Sequence, residues 1–194
     1  MTDTVDVATM GSSDAVAKLL ESEVDMAGFH FGMESPAPPP GSVFSLLFEE
    51  DRFKVMPLLR GQQGLMLATN NPLQIRSIRD LCSIRARFIN RQRGSGTRLW
   101  FDRLLAEEGL SPFKVRGYAV EEFTHQAIAA VVASGAADVG MGVRAAAEQF
   151  GLSFIPLGHE IYFVAARRGL DGHLEGLMAA VKARVSQIAG YALP

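Results

Sequence analysis

The chain of 194 residues has one cysteine, Cys82. An intramolecular disulfide is therefore excluded, and nothing calls for an oxidising compartment. Leu81 and Ile84 beside it predict a packed thiol rather than a nucleophile. No apolar run approaches the length of a membrane span. The start, MTDTVDVATM, lacks a basic stretch followed by an apolar one and does not read as a secretory leader. The expected setting is cytoplasmic, without membrane contact. No lysine completes a G-x-x-x-x-G-K-[ST] run, which argues against ATP hydrolysis. His30, His125, His159 and His173 have no metal-ligand spacing. No Ser-His-Asp or Cys-His set can be placed, and a G-x-S-x-G elbow is missing. The expectation is therefore no enzyme, no metal and no cofactor.

Basic residues are scarce where acidic ones gather. Residues 1–51 hold Lys18 alone against ten acids, whereas residues 72–116 hold ten basic residues against four acids. The net charge of −2 hides this split. A basic middle suits an anionic ligand, although solvated faces give the same counts. Hydrophobic content of 48% with 21% charged residues is that of a globular protein with ample length for a core.

Apolar periodicity alternates between strand and helix. Val5 to Thr9 and "DMAGFHF" (25–31) read as strands around a helix in "AVAKLL", capped by Ser13 or Asp14. "SPAPPPG" (35–41) is a stiff loop of polyproline character. "FKVMPLLRGQQGLMLATNN" (53–71) reads as two extended pieces broken at Gly61-Gln62-Gln63-Gly64, and Asn71-Pro72 predicts a helix to about Cys82. "ARFIN" reads as a strand and Thr97 to Glu108 as a helix with Trp100 in the core; "KVRGYAV" is extended and Thr124 to Ser134 helical. "ADVGMGV", "SFIPL" and "EIYFVAA" read as strands, and a last helix is expected over about 174–189. Repeated strand–loop–helix units predict an α/β fold with a mostly parallel sheet, whose ligands bind where helix N-termini point inward.

Three helix starts are rich in small hydroxyl residues: Gly11-Ser12-Ser13, Gly94-Ser95-Gly96-Thr97 and Thr124-His125-Gln126. Glycine admits a ligand close to the backbone, and the unpaired N–H groups of a helix start donate toward negative charge. Arg91, Arg93 and Arg98 could bring bidentate forks to an oxyanion. Ser and Thr are also simply good N-caps. "GMGVRA" (140–145) fits G-x-G-x-x-A with Glu160 twenty residues on, as a dinucleotide fingerprint does, but its strand and helix are short. The alternative there is a glycine-permitted turn.

With "FINRQRGSGTR" (88–98) and "GYAVEEFTHQAIAAVVASGAADVGMGVRAAAEQFGLSFIPL" (117–157), the chain resembles a family. It is the periplasmic-binding-protein-like domain joined to helix-turn-helix segments in transcription regulators, and found with molybdopterin-biosynthesis modules. "GSSDAVAKLL", "LMLATNNPLQIRSIRDL" and "HEIYFVAARR" extend the likeness over most of residues 5–168. The Arg-x-x-x-Ser-Gly-Thr pattern is similar to that of tungstate- and phosphate-binding proteins. The resemblance implies a two-lobed type II solute-binding α/β fold, with mixed, mostly parallel sheets flanked by helices. Residues 1–62 and 157–194 would form one lobe, expected to be truncated at its start, and residues 63–156 the other. Crossovers would lie at Gly61 to Gly64 and near Pro156 to Gly158. Ser12 and Ser13 would line one wall of a cleft and Arg91, Ser95, Gly96, Thr97 and Arg98 the other, with Thr124 and His125 approaching from the third helix start. The implied function is a sensor for a small anion such as molybdate or tungstate, read by a DNA-binding domain or subunit outside this chain, with homodimerisation left open. A transporter solute-binding component is the alternative, and a dinucleotide-binding module at Gly140-Gly142 a further one.

Overall fold

Two strands of fifteen residues, β2 (Phe53–Leu67) and β6 (Ser153–Arg167), pair antiparallel along their whole length. The structure is a computed structural model that describes residues 6–32 and 37–194. At one end β1 (Met26–Phe29) adds antiparallel to β6. At the other, β5 (Val139–Val143) adds antiparallel to β2, β3 (Phe88–Arg91) pairs parallel with β5, and β4 (Glu121–Glu122) pairs parallel with β3. A short β7 (Tyr191–Ala192) pairs with Arg60 and Gly61 midway along β2. The order is β1-β6-β2-β5-β3-β4. The fold is mixed α/β as expected, but parallel pairing is confined to β3, β4 and β5, because the two long strands pair antiparallel with each other and with all their other neighbours.

Side chains alternate across each strand, and this sorts the core into four clusters, two per face. Leu65 and Leu67 pack under α3 (Ile78–Ser83) and α4 (Gly96–Glu107), with Trp100, Phe101 and Leu105 from α4. Met66, between them in sequence, faces the opposite side with Ile128, Ala129 and Val132 of α5 (His125–Ala133) and Ala146 of α6 (Arg144–Gln149). At the other end Phe163 and Ala165 join Val16 and Leu19 of α1 (Ser12–Leu20) and Leu47 of α2 (Ser45–Glu49). Val164 and Ala166 turn the other way, toward Leu174 and Met178 of α7 (Asp171–Arg184). Phe29 stacks between Phe44 and Phe163, with ring centroids 5.6 and 5.7 Å away. Each such ring contributes about 2–3 kcal/mol through burial.

Several expected boundaries move. Residues 53–67 are one strand, not two, because pairing with β6 carries the chain through Gly61-Gln62-Gln63-Gly64; the expected break survives as a register shift between Gln63 and Gly64. "SFIPL" and "EIYFVAA" likewise merge into β6. No helix starts at Pro72: the Asn71 side chain bonds the N–H and C=O of Ile75 and holds a loop. The helix begins at Ile78, where Ser77 and Asp80 form a capping box. The "KVRGYAV" stretch holds only the end of a short 3-10 turn, Pro112–Lys114, and β4 follows it. The last helix ends at Arg184 and gives way to a 3-10 turn and β7. Residues 6–10 are not a strand. Val5 and part of the proline-rich loop lie outside the described residues. Among the described residues no helix is long and apolar enough to cross a membrane.

Candidate ligand-binding site

Three helix starts meet at one cavity of about 360 Å³, lined in part by Gly11, Ser12, Ser95 and Thr124. Gly11, Ser95 and Thr124 are the N-caps of α1, α4 and α5. Ser95 Oγ accepts from the Arg98 N–H at 3.2 Å and Thr124 Oγ1 from the Ala127 N–H at 3.0 Å. These hydroxyls therefore cap their own helices, while the positive ends of three dipoles converge on one space. Ser12 Oγ accepts the His30 N–H at 3.3 Å, tying α1 to the residue after β1.

The basic loop divides its arginines. Arg91, at the end of β3, is 8% exposed and lines the cavity. Its guanidinium donates to Gln92 Oε1 and to the Phe123 carbonyl, each at 3.0 Å. Among the described residues no carboxylate comes within ion-pair range of it. Burial pushes the guanidinium below its usual pKa, against the pull of Tyr162 and Glu160. Arg98 is not a cavity residue. Its Nε meets Asp102 at 3.1 Å, its Nη1 meets Glu121 at 3.0 Å, and its guanidinium lies 4.1 Å from the centre of the Tyr118 ring. Although burial opposes its charge, Tyr118 and Asp102 hold it above its usual pKa. Arg93 is solvent-exposed and, among the described residues, reaches only Glu121, at 3.8 Å.

Behind the lining lies a set of buried polar groups. Glu160 is fully buried, and its Oε2 contacts His30 Nδ1 without hydrogen-bond geometry. The Tyr162 ring packs on His30 at 4.5 Å between centroids. Both amide atoms of Gln63, Thr97 Oγ1 and His125 Nδ1 are buried without a hydrogen-bond partner among the described residues. His125 is only half-buried as a residue, but that nitrogen is shut away. Burial, then the charges of Arg91 and His30, hold its pKa well below the ordinary histidine value, so the ring is neutral. Buried polar groups left unpaired cost free energy.

Of the nine residues expected at the site, Ser12, Arg91, Ser95, Thr124 and His125 line the cavity. Ser13 instead donates to the Gly94 carbonyl at 3.1 Å, which locks α1 to the basic loop; Gly94 has a φ of +79°, where glycine is favoured. Gly96 and Thr97 sit beneath the lining. A side chain at 96 would overlap the His30 ring, so glycine there permits close approach of protein to protein, not of protein to ligand. His30 and Tyr162 also line the cavity. The sequence sign for that region was a charged residue inside an apolar strand, Glu160 in "EIYFVAA".

The dinucleotide alternative fails on position. Gly140 and Gly142 lie inside β5, not in a turn, and a Cβ on them would run into Ile128 and Met66 respectively. These glycines admit α5 and β2 side chains to the strand, and Glu160 belongs to the buried contact with His30. Among the described residues no group of three or more His, Cys, Asp or Glu side chains could hold a metal ion.

Residues 2–182 match the PBP superfamily domain. The chain belongs to the PBP superfamily. A relative in this range is uncharacterized protein YvgK of Bacillus subtilis (strain 168), 27% identical over 186 residues. That alignment covers 93% of this chain and 60% of the relative, so the PBP domain described here spans about three fifths of that protein's length. Among solved structures, the Synechocystis PCC6803 CcmR regulatory domain in complex with 2-PG aligns with a TM-score of 0.66 at 21% identity, covering 92% of this chain and 84% of that one. A putative phosphate ABC transporter substrate-binding protein with bound phosphate, from Clostridium perfringens, aligns with a TM-score of 0.70 at 10% identity, covering 95% and 85%. At these identities the structural likenesses establish the fold.

Proposed function

We propose that this PBP domain is a sensor that binds a small anion in the cavity at the three helix N-termini and passes the signal to a regulatory partner. The observation that carries the reading is the convergence of Ser12, Ser95 and Thr124 with a buried Arg91 that no carboxylate pairs among the described residues. An anion there would supply the missing countercharge and meet three positive dipole ends. Residues 1–62 with 157–194, and 63–156, would act as the two lobes. A ligand touching both stabilises the closed arrangement by its differential affinity. The regulatory domain in complex with 2-PG among the structural relatives supports a sensor. A DNA-binding domain or subunit would read its state, with a homodimer as one arrangement. The phosphate-bound transport protein favours the second reading, a solute-binding component of a transporter. Molybdate and tungstate belong to the proposed ligand class, although a cavity of about 360 Å³ falls in the range of sites for organic molecules.

A thermal-shift panel of molybdate, tungstate, sulfate, phosphate and small organic acids tests this. A ligand at a hundred times its Kd should add about 2.7 kcal/mol of stability, and Arg91→Ala should abolish the shift. Stabilisation that persists undiminished in Arg91→Ala would move the site elsewhere.

A further inference from the structure

Resting on that anion-site reading, we propose that the natural ligand is an amphipathic anion, its head in the polar cavity and an apolar body in a second, adjoining cavity. This second space, of about 870 Å³, lies between α6, α7 and β7. Leu59, Val143, Val181, Val185, Ile188 and Tyr191 give it a largely apolar wall. It is too large and too apolar to serve a bare tetrahedral oxyanion, whose hydration no such wall can replace.

The two cavities adjoin. Tyr162 and Gln126 line both. Tyr162 is the cross-strand partner of Leu59 in the β2–β6 pair, so one face of its ring belongs to the apolar wall, while its contact with His30 places it at the polar one. Tyr162 and Gln126 therefore stand at the boundary where a ligand's head and body would meet. Burial and the Glu160 charge raise the Tyr162 phenol well above its usual pKa, and Tyr191 is pushed up to about 12 for the same reasons. Both phenols stay neutral and set no negative charge against an anion. Charged groups stay few: Glu148 is already paired with Arg144, and Arg184 stands at the end of α7. The arrangement fits a carboxylate or phosphate monoester carrying a hydrocarbon or aromatic body.

Calorimetric titration of the full chain with methyl, butyl and octyl phosphate, and with the matching alkanoates, tests the proposal and distinguishes the two heads. Affinity should rise by about fourfold for each methylene that enters the apolar cavity. Ala180→Phe, at an exposed position of α7 that lines this cavity, should erase the chain-length gain and leave methyl phosphate or acetate binding unchanged. Val181→Trp should do the same. A flat chain-length series with the short anion still bound overturns the apolar subsite and leaves the anion site standing. No binding by any member overturns both readings. Octanol binding as tightly as octyl phosphate, or a gain that survives both variants, overturns the head-and-tail arrangement.

Discussion

Arg91 and Arg98 leave the same basic loop, and both are almost fully buried, yet their surroundings are opposite. Arg98 is enclosed by Asp102, Glu121, the Tyr118 ring and the Arg91 carbonyl. Arg91 has neutral acceptors only, and it shares the cavity lining with His125, whose buried Nδ1 has no hydrogen-bond partner among the described residues. A satisfied buried charge is part of the scaffold, whereas a buried charge with neutral acceptors at a cavity is what the proposed anion would pair. Burial and charge alone do not separate the two cases; the partners do.

The largest expected effect breaks the satisfied side. Arg98→Ala leaves Asp102 without its cation and Glu121 with only the exposed, more distant Arg93 among the described residues, and should cost about 2–3 kcal/mol in chemical denaturation. That figure is held down because both carboxylates keep some contact with water. A smaller effect comes from pH. The folded protein keeps His125 neutral, while the unfolded chain takes up a proton near pH 6.5. Stability should therefore fall as pH drops below 6.5, by up to about 1.4 kcal/mol per pH unit until the folded pKa is reached. In His125→Gln that part of the pH dependence should vanish, as denaturation midpoints between pH 7 and pH 5 would show. Ser95→Ala removes the α4 cap and should cost about 1 kcal/mol, read in the same denaturation assay. The smallest effect sharpens the comparison. Arg91→Ala should change stability by no more than about 0.5 kcal/mol, because it removes a desolvated charge, unpaired among the described residues, along with two hydrogen bonds. A loss as large as that of Arg98→Ala would erase the distinction drawn between them.

Much of the cavity lining was legible because capping is local. Small hydroxyl residues before an apolar period mark helix starts, and Ser95 and Thr124 cap α4 and α5 as their positions suggested. The fold class followed from alternating strand and helix patterns. What escaped depends on distant pairing. Gly61-Gln62-Gln63-Gly64 looks like a break in isolation, and only hydrogen bonding to β6 keeps it extended. Pro72 is well placed for a helix start, but the Asn71 side chain claims the backbone of Ile75 first. Arg91 and Arg98 are equivalent by spacing. Only Asp102, four residues on in α4, hints that Arg98 is occupied, and Glu121 and Tyr118 reach it through the fold.

The long β2–β6 pair has a kinetic consequence. Its partner residues are roughly a hundred positions apart in the chain, and β1, β5 and β7 all dock on this pair. Loop closure over that distance must precede most of the rewarding contacts, which places refolding among the slow, non-local topologies of the millisecond-to-second range. The three helix starts belong to segments that these strands bring together, so the cavity forms only when the sheet is complete. On the proposed anion-site reading, an anion added during refolding should therefore find no site in early species, and its binding signal should follow the last folding phase.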